Sequence, residues 1–206
     1  MVQGRVSILL GDLPGVSVWM IFAIKAIPNW MTIGRILLTP IVAVLIWIDR
    51  PDFGYALALA LFTLASVTDF FDGWIARRLN VVSPFGEMLD PIADKMLIGC
   101  ALLALANVTP AGWVFLVPAL VILIREFMIS GLREYLAKRS FSAPVTPLAK
   151  WKTAAQITAV GFLIGAPAFP IVPFAHEIGL FLLWVAAILT VQTGYGYIRE
   201  AIRHVS

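Results

Sequence analysis

Apolar residues fill most of this chain in long runs that are separated by short polar joins. From residue 28 onward six such runs follow one another, and each is close to the ~20 residues that a helix needs to cross a bilayer. Proline and glycine mark the joins, for example at Pro51, Gly54, Pro110 and Gly112. The pattern predicts an all-α integral membrane protein whose six transmembrane helices cover, approximately, residues 30–48, 56–77, 88–107, 113–135, 153–170 and 178–198.

The composition is not that of an ordinary soluble domain. Apolar residues make up 61% and charged residues 13% of the 206 residues, whereas soluble domains have roughly 25% charged residues. The length predicts one domain, and one domain of this size could not bury so much apolar surface in water. The net charge of +3 does not point to nucleic acid as a partner. Tryptophans near the ends of the runs, where membrane interfaces favour them, are Trp30, Trp47, Trp113 and Trp151.

The distribution of lysine and arginine predicts the orientation in the membrane. If the end of the second run, which carries Arg77 and Arg78, faces the cytoplasm, the opposite face keeps only Arg50. This excess of cations on one side follows the positive-inside rule. We therefore expect both ends of the domain on the cytoplasmic side. The other cations placed there are Lys95, Arg133, Lys138, Arg139, Lys150, Lys152, Arg199 and Arg203.

Residues 1–27 do not have the pattern of a signal peptide, because acidic, proline and lysine residues interrupt their apolar stretch. We expect either an amphipathic segment in the membrane interface, over residues 16–27, or sequence ahead of the native start, for which Met20 is the candidate. On either interpretation the membrane domain is expected to cover residues 28–206.

Residues 69–94 hold four of the seven aspartates in surroundings that are otherwise apolar. If both flanks are helical, Asp69 and Asp72 share one face at i, i+3, and Asp90 and Asp94 share a face of the next helix at i, i+4. Four uncompensated carboxylates in one volume repel one another, and their hard oxygen atoms suit Mg²⁺ or Mn²⁺. We therefore predict a site for a pair of metal ions. The alternative is a chance cluster of acids that form salt bridges at a helix end.

The full spacing of this stretch is Asp69-x2-Asp72-Gly73-x2-Ala76-Arg77-x8-Gly86-x3-Asp90-x3-Asp94. It resembles the signature of the CDP-alcohol phosphotransferases at every fixed position. The resemblance implies that a CDP-linked lipid donates its phosphatidyl group to an alcohol while CMP leaves. It also implies that Asp94 accepts the proton of that alcohol while contacting the metal. The nucleotide and donor contacts that it implies are Asn29, Asp72, Gly73, Ala76, Arg77, Ser83 and Gly86.

Three further stretches, residues 27–40, 124–137 and 150–156, resemble the phosphatidylglycerophosphate synthase branch of this family. In that branch the donor is CDP-diacylglycerol and the acceptor is sn-glycerol 3-phosphate. The resemblance also implies a homodimer. It places the protein in the bacterial cytoplasmic membrane as a multi-pass protein, with the active site at the cytoplasmic face.

A phosphate-bearing acceptor requires basic side chains in addition to Arg77. Arg125 lies deep in the fourth apolar run, where an unpaired cation is costly, and its neighbour Glu126 is expected to face elsewhere on the helix. Arg133 and Lys152 are expected nearer the surface on the same side. We predict that Arg125, Arg133 and Lys152 bind the acceptor phosphate. The alternative for Arg133 and Lys152 is that they only follow the positive-inside distribution.

Three other functions remain open on the sequence alone. A sister enzyme of the same family could use inositol phosphate, serine or a phosphatidyl lipid as its acceptor. A membrane prenyltransferase also carries aspartate pairs on helices, but its motifs lack the framework of Gly73, Ala76, Arg77 and Gly86. A cation transporter would place its acids near the middle of the membrane between repeats, whereas these acids lie at one face and no repeat is visible.

Overall fold

The structure, a computed structural model, describes residues 18–48, 53–79, 84–137 and 147–205. Side chains are described from residue 29 onward in these ranges, except at residues 70–79, 84, 85, 87, 147, 200 and 203–205. The described residues form helices, and the two joins that are described in full, residues 109–112 and 169–174, are short turns. The helices are α1 (Val18–Trp47), α2 (Gly54–Leu79), α3 (Pro84–Val108), α4 (Trp113–Ala137), α5 (Pro147–Ala168) and α6 (Ala175–Val205).

The observed helices follow the predicted apolar runs, and most of their ends differ by only a few residues. α1 begins before residue 30 and therefore includes part of the N-terminal segment, of which residues 1–17 lie outside the described chain. α5 begins at Pro147. Proline is tolerated in the first turn of a helix because the backbone N–H groups there have no helical acceptor. The turn between α3 and α4 contains Gly112 at φ 52°, a conformation that glycine adopts without strain.

In the described part of the chain, four segments are long and apolar enough to cross a membrane. α2 has a shorter apolar stretch, Gly54–Asp69. The all-α prediction is confirmed for the described residues. The count of six spans and the cytoplasmic location of both ends remain predictions. The four segments are Asn29–Trp47, Met88–Val108, Trp113–Ala137 and Ala175–Arg199.

The helices pack in two groups that share one core. α1 packs against α2 and α3, α6 packs against α4 and α5, and a contact between α2 and α5 joins the groups. All six helices contribute apolar side chains to the core, among them the fully buried Phe62, Phe115, Ile164 and Leu183. This packing fixes the relative positions of the helices that carry the polar side chains described below.

Large apolar side chains also cover the outside of the bundle. Leu103, Ile124, Phe127 and Ile188 are each more than 60% exposed although they lie within helices. Such a surface is unfavourable in water but is expected where a helix bundle faces lipid. The exposed tryptophans near helix ends, Trp30, Trp47, Trp113 and Trp151, are between 60% and 71% exposed, as interfacial residues are.

Candidate active site

Three of the four aspartates of the signature meet side chains of α1 at one end of the bundle. Asp69 is the last residue of α2 whose side chain is described, and Asp90 and Asp94 lie one turn apart on α3. Thr32 Oγ1 donates a hydrogen bond to Asp90 Oδ1 at 2.7 Å. Arg35 Nη1 donates to Asp94 Oδ1 at 2.7 Å and forms an ion pair with Asp69. Three helices therefore converge on one polar cluster.

Arg35 is the residue that links the carboxylates of α2 and α3, and its role was not predicted from the sequence. Its side chain is 1% exposed, while those of Asp69 and Asp94 are 36% and 53% exposed. A buried arginine requires charged partners, because an isolated buried cation is costly. The available signal was a lone arginine inside the first apolar run, since intramembrane charges are usually functional.

The structure describes the residues that were predicted to contact the donor only in part. Gly86 is buried in the first turn of α3, and Asn29 lies about one turn before Thr32 on α1. The backbone of α2 continues helically from Asp69 to Leu79. Asp72, Gly73, Ala76 and Arg77 belong to that helix, but their side chains lie outside the described part, as does the whole of Ser83.

A cavity of about 1250 Å³ opens beside the carboxylates, between α3, α4, α5 and α6. Asp90 and Asp94 line one part of it. Another part is lined by the three basic residues that were predicted to bind the acceptor phosphate, which are Arg125, Arg133 and Lys152. The structure thus brings the carboxylates and the basic residues to the same volume.

Glu126 lies among these basic residues, so the expectation that it faces elsewhere on the helix is wrong. Its Oε1 contacts Arg125 Nη1 at 3.2 Å and accepts a hydrogen bond from Lys152 Nζ. Lys152 is buried rather than superficial, with 7% of its surface exposed. A buried ammonium requires a counter-ion, and the flexible Glu126 side chain reaches it from α4. One carboxylate oxygen therefore serves two cations.

Arg125 is held by α6 as well as by Glu126. Its Nη2 donates a hydrogen bond to Thr193 Oγ1 at 2.9 Å. The arginine stem packs against Gly194, where a Cβ atom would lie only 3.1 Å from Arg125 Nε and 3.2 Å from Cγ. Glycine at this position therefore gives the guanidinium the room that it occupies.

Arg133 makes its contacts with Tyr197 on α6. Its Nε donates to the Tyr197 hydroxyl at 3.2 Å, and its guanidinium lies 5.2 Å from the centre of the ring, a cation–π distance. Because Arg133 is exposed and lines the cavity, it can also contact a ligand there. Arg125, Arg133 and Lys152 thus have different environments although all three face one cavity.

The acid cluster fits a hard divalent cation in its chemistry. Its donors are carboxylate oxygens, which Mg²⁺ and Mn²⁺ prefer, and Asp69 and Asp94 already approach a single cationic nitrogen from two helices. Among the described side chains alone, no three acidic, histidine or cysteine residues are arranged to hold a metal ion. The side chain of Asp72, the fourth aspartate, is not among them.

Comparison with known proteins gives one consistent result. The sequence profile of the CDP-alcohol phosphatidyltransferase family matches residues 25–192. A CDP-diacylglycerol–glycerol-3-phosphate 3-phosphatidyltransferase of Rickettsia bellii is 44% identical over 173 residues, which are 84% of this chain and 93% of that protein. Proteins of the same name from Cereibacter sphaeroides and Shigella flexneri are 38% and 37% identical. These matches cover 86% and 85% of this chain, and 96% and 94% of those two proteins.

Proposed function

The chain belongs to the CDP-alcohol phosphatidyltransferase family, and from this membership we propose that it transfers the phosphatidyl group of CDP-diacylglycerol to sn-glycerol 3-phosphate. The products are phosphatidylglycerophosphate and CMP. One observation carries the proposal: a single cavity is lined both by carboxylates of the family signature and by a group of basic side chains. The similar proteins of Rickettsia, Cereibacter and Shigella are named for the same donor and acceptor.

The carboxylates bind the metal in this proposal. Enzymes of this family generally depend on a divalent metal ion, and Asp69, Asp72, Asp90 and Asp94 would hold Mg²⁺ or Mn²⁺. The bound metal supplies charge neutralisation for the diphosphate and for the departing CMP. The proposed donor contacts remain those implied by the family resemblance, namely Asn29, Asp72, Gly73, Ala76, Arg77, Ser83 and Gly86.

Asp94 is the proposed proton acceptor. Its side chain is 53% exposed and lines the cavity, so an acceptor hydroxyl can reach the carboxylate. Arg35 holds one of its oxygens at 2.7 Å and thereby fixes the orientation of the carboxyl group. A base that is positioned in this way takes the hydroxyl proton as the oxygen attacks phosphorus.

Arg125, Arg133 and Lys152 are the proposed ligands of the acceptor phosphate. Arg125 and Lys152 share the single negative charge of Glu126. A phosphate dianion offers more charge and more acceptor oxygens than this single carboxylate, so it can compete for the same cations. This environment favours a phosphate-bearing acceptor over serine or a neutral polyol. Inositol phosphate is therefore the second candidate acceptor.

The location of the cations supports the proposed orientation. Lys95, Arg133, Lys150 and Lys152 line the same cavity as Asp90 and Asp94. We propose that this end of the bundle is at the cytoplasmic face of the cell membrane, where the positive-inside rule places lysine and arginine and where water-soluble glycerol 3-phosphate is available. The homodimer remains a prediction.

An acceptor panel tests the proposal. Purified protein with CDP-diacylglycerol and Mg²⁺ is supplied in turn with sn-glycerol 3-phosphate, inositol phosphate, serine, glycerol and phosphatidylglycerol. We expect CMP release and a new phospholipid with sn-glycerol 3-phosphate, and little of either with glycerol, which lacks the phosphate. Preference for inositol phosphate would assign the chain to a sister activity, and preference for serine or glycerol would contradict the role of the basic residues.

A further inference from the structure

The inference concerns Arg35 and rests on the metal site of the proposed function. Arg35 is among the largest fully buried side chains of the described protein. Through Nη1 it contacts Asp94 and Asp69, which come from different helices. Arg35 therefore supplies a positive charge inside a group of carboxylates that would otherwise repel one another.

α1 is built to present this charge at a fixed place. Thr39 Oγ1 donates a hydrogen bond to the backbone carbonyl of Arg35 at 2.9 Å, inside the same helix. Three residues before Arg35, Thr32 donates to Asp90, so the same face of α1 makes a neutral contact and a charged contact with the cluster. Both acids of α3 are thus tied to one face of α1.

We propose that Arg35 is a positioning residue that acts as the built-in counter-cation of the carboxylate cluster. It holds Asp69 and Asp94 in place while no metal is bound, and its charge weakens the binding of divalent metal. A unit positive charge about 5 Å from a divalent cation lowers the affinity for that cation by about tenfold or more, even at the dielectric constant of bulk water, about 80. The metal affinity of the cluster is therefore set from α1, outside the aspartate signature.

The experiment is a Mn²⁺ titration of the full-length protein in detergent, with free Mn²⁺ followed by electron paramagnetic resonance and with no substrate present. Arg35→Met removes the charge and keeps much of the side-chain volume. We expect it to bind Mn²⁺ about tenfold more tightly than the wild type, because the repelling charge is gone. We expect Arg35→Lys, which keeps the charge, to remain within about threefold of the wild type.

A thermal unfolding measurement accompanies the titration. In excess chelator, Arg35→Met is expected to melt at a lower temperature than the wild type, because the carboxylates are no longer neutralised. Saturating Mn²⁺ is expected to raise its melting temperature by more than that of the wild type, since tighter binding gives a larger stabilisation. The control is Arg199→Gln, which replaces an exposed residue of α6. This substitution is expected to leave the Mn²⁺ affinity unaltered.

Unchanged or weaker Mn²⁺ binding by Arg35→Met would overturn the inference, because a purely structural role predicts weaker binding. If Arg35→Met does not fold, Arg35→Gln is titrated instead with the same expected direction. A wild-type protein that binds no Mn²⁺ would refute the metal site of the proposed function together with this inference. Wild-type binding with no gain in the variant refutes only the role of Arg35. The acceptor panel tests the choice of acceptor and is read independently of either result.

Discussion

Lys152 on α5 and Glu126 on α4 form a buried ion pair inside the cavity, and the same Glu126 oxygen also contacts Arg125. The two cations that we assign to the acceptor phosphate are therefore paired with a carboxylate of the protein itself. Binding of the substrate is then an exchange of one anion for another. The affinity for the acceptor therefore depends on Glu126 as well as on the cations themselves.

Glu126→Gln should strengthen phosphate binding, because it removes the competing charge while keeping the side-chain size. We expect the KM for sn-glycerol 3-phosphate to fall by roughly threefold to tenfold, and inorganic phosphate to inhibit more strongly. Without phosphate the variant should melt at a lower temperature, because the buried Lys152 and the partly buried Arg125 lose their counter-ion. Steady-state kinetics and thermal melts with and without phosphate measure both effects. Glu177→Gln in the first turn of α6 is the control, and a raised KM in Glu126→Gln would contradict the exchange.

Arg125→Ala and Lys152→Ala should each impair the use of the acceptor while sparing the nucleotide. Loss of a charged hydrogen bond costs about 1.5–3 kcal/mol, so we expect kcat/KM for sn-glycerol 3-phosphate to fall by about 10- to 100-fold. CMP binding, measured by calorimetry, should stay close to that of the wild type. If both variants keep the wild-type kcat and KM, the acceptor binds elsewhere.

Asp94→Asn should separate the chemical step from binding. The change keeps the size and one oxygen but removes the proton acceptor, and loss of a general base typically reduces the rate by about 10²–10⁴-fold. The measurement compares turnover with nucleotide affinity on the same folded preparation. Turnover near the wild-type rate would exclude Asp94 as the base. Joint loss of metal and nucleotide would show that Asp94 is mainly a metal ligand.

Removal of divalent metal should abolish activity reversibly. With excess EDTA we expect no CMP release, since the carboxylates alone cannot neutralise a diphosphate. Added Mg²⁺ or Mn²⁺ should restore activity. Magnesium-saturated EDTA serves as the control for direct effects of the chelator, and full activity in metal-free EDTA would refute the metal requirement.

Gly194→Ala should disturb the acceptor site through the contact between Gly194 and the side chain of Arg125. The new Cβ would lie 3.1 Å from Arg125 Nε, a distance that forces the guanidinium or α6 to shift by a few tenths of an ångström. We expect a higher KM for sn-glycerol 3-phosphate with little change for CDP-diacylglycerol, because the displaced group serves only the acceptor. The matched control is Gly131→Ala on α4, where a Cβ meets no atom within 4 Å. Equal effects of the two substitutions would count against the contact.

The sequence predicted the helices because each apolar run has a local pattern that a single helix must satisfy. It also placed Asp90 and Asp94 on one helix, since the i, i+4 spacing is a property of that helix alone. The cluster of Thr32, Arg35 and the aspartates could not be predicted in the same way. Its contacts join residues up to 59 positions apart in the chain, and no local period indicates which helix faces reach each other.

Glu126 shows the same limit at short range. Neighbouring residues on a helix point in directions about 100° apart, and this geometry led to the expectation that Glu126 and Arg125 separate. The structure differs because Glu126 is the common partner of Arg125 and of Lys152 from α5, and these long side chains bend towards it. Lys152 was assigned correctly to the same end of the bundle, but its burial depends on the packing of α5 against other helices.

The buried Arg35 also has a consequence for how the protein enters the membrane. Arg35 lies within Asn29–Trp47, a segment of α1 that is long and apolar enough to cross a membrane, and an arginine within a lone apolar helix opposes insertion, by about 2.5–3.5 kcal/mol where it lies at the helix centre. α1 is synthesised first, and the acids that pair with Arg35 arrive later on α2 and α3. We therefore expect α1 to be fully inserted in the bilayer only after α2 and α3 have left the translocon and lie beside it. Assembly of the proposed metal-binding carboxylates is thus coupled to completion of insertion.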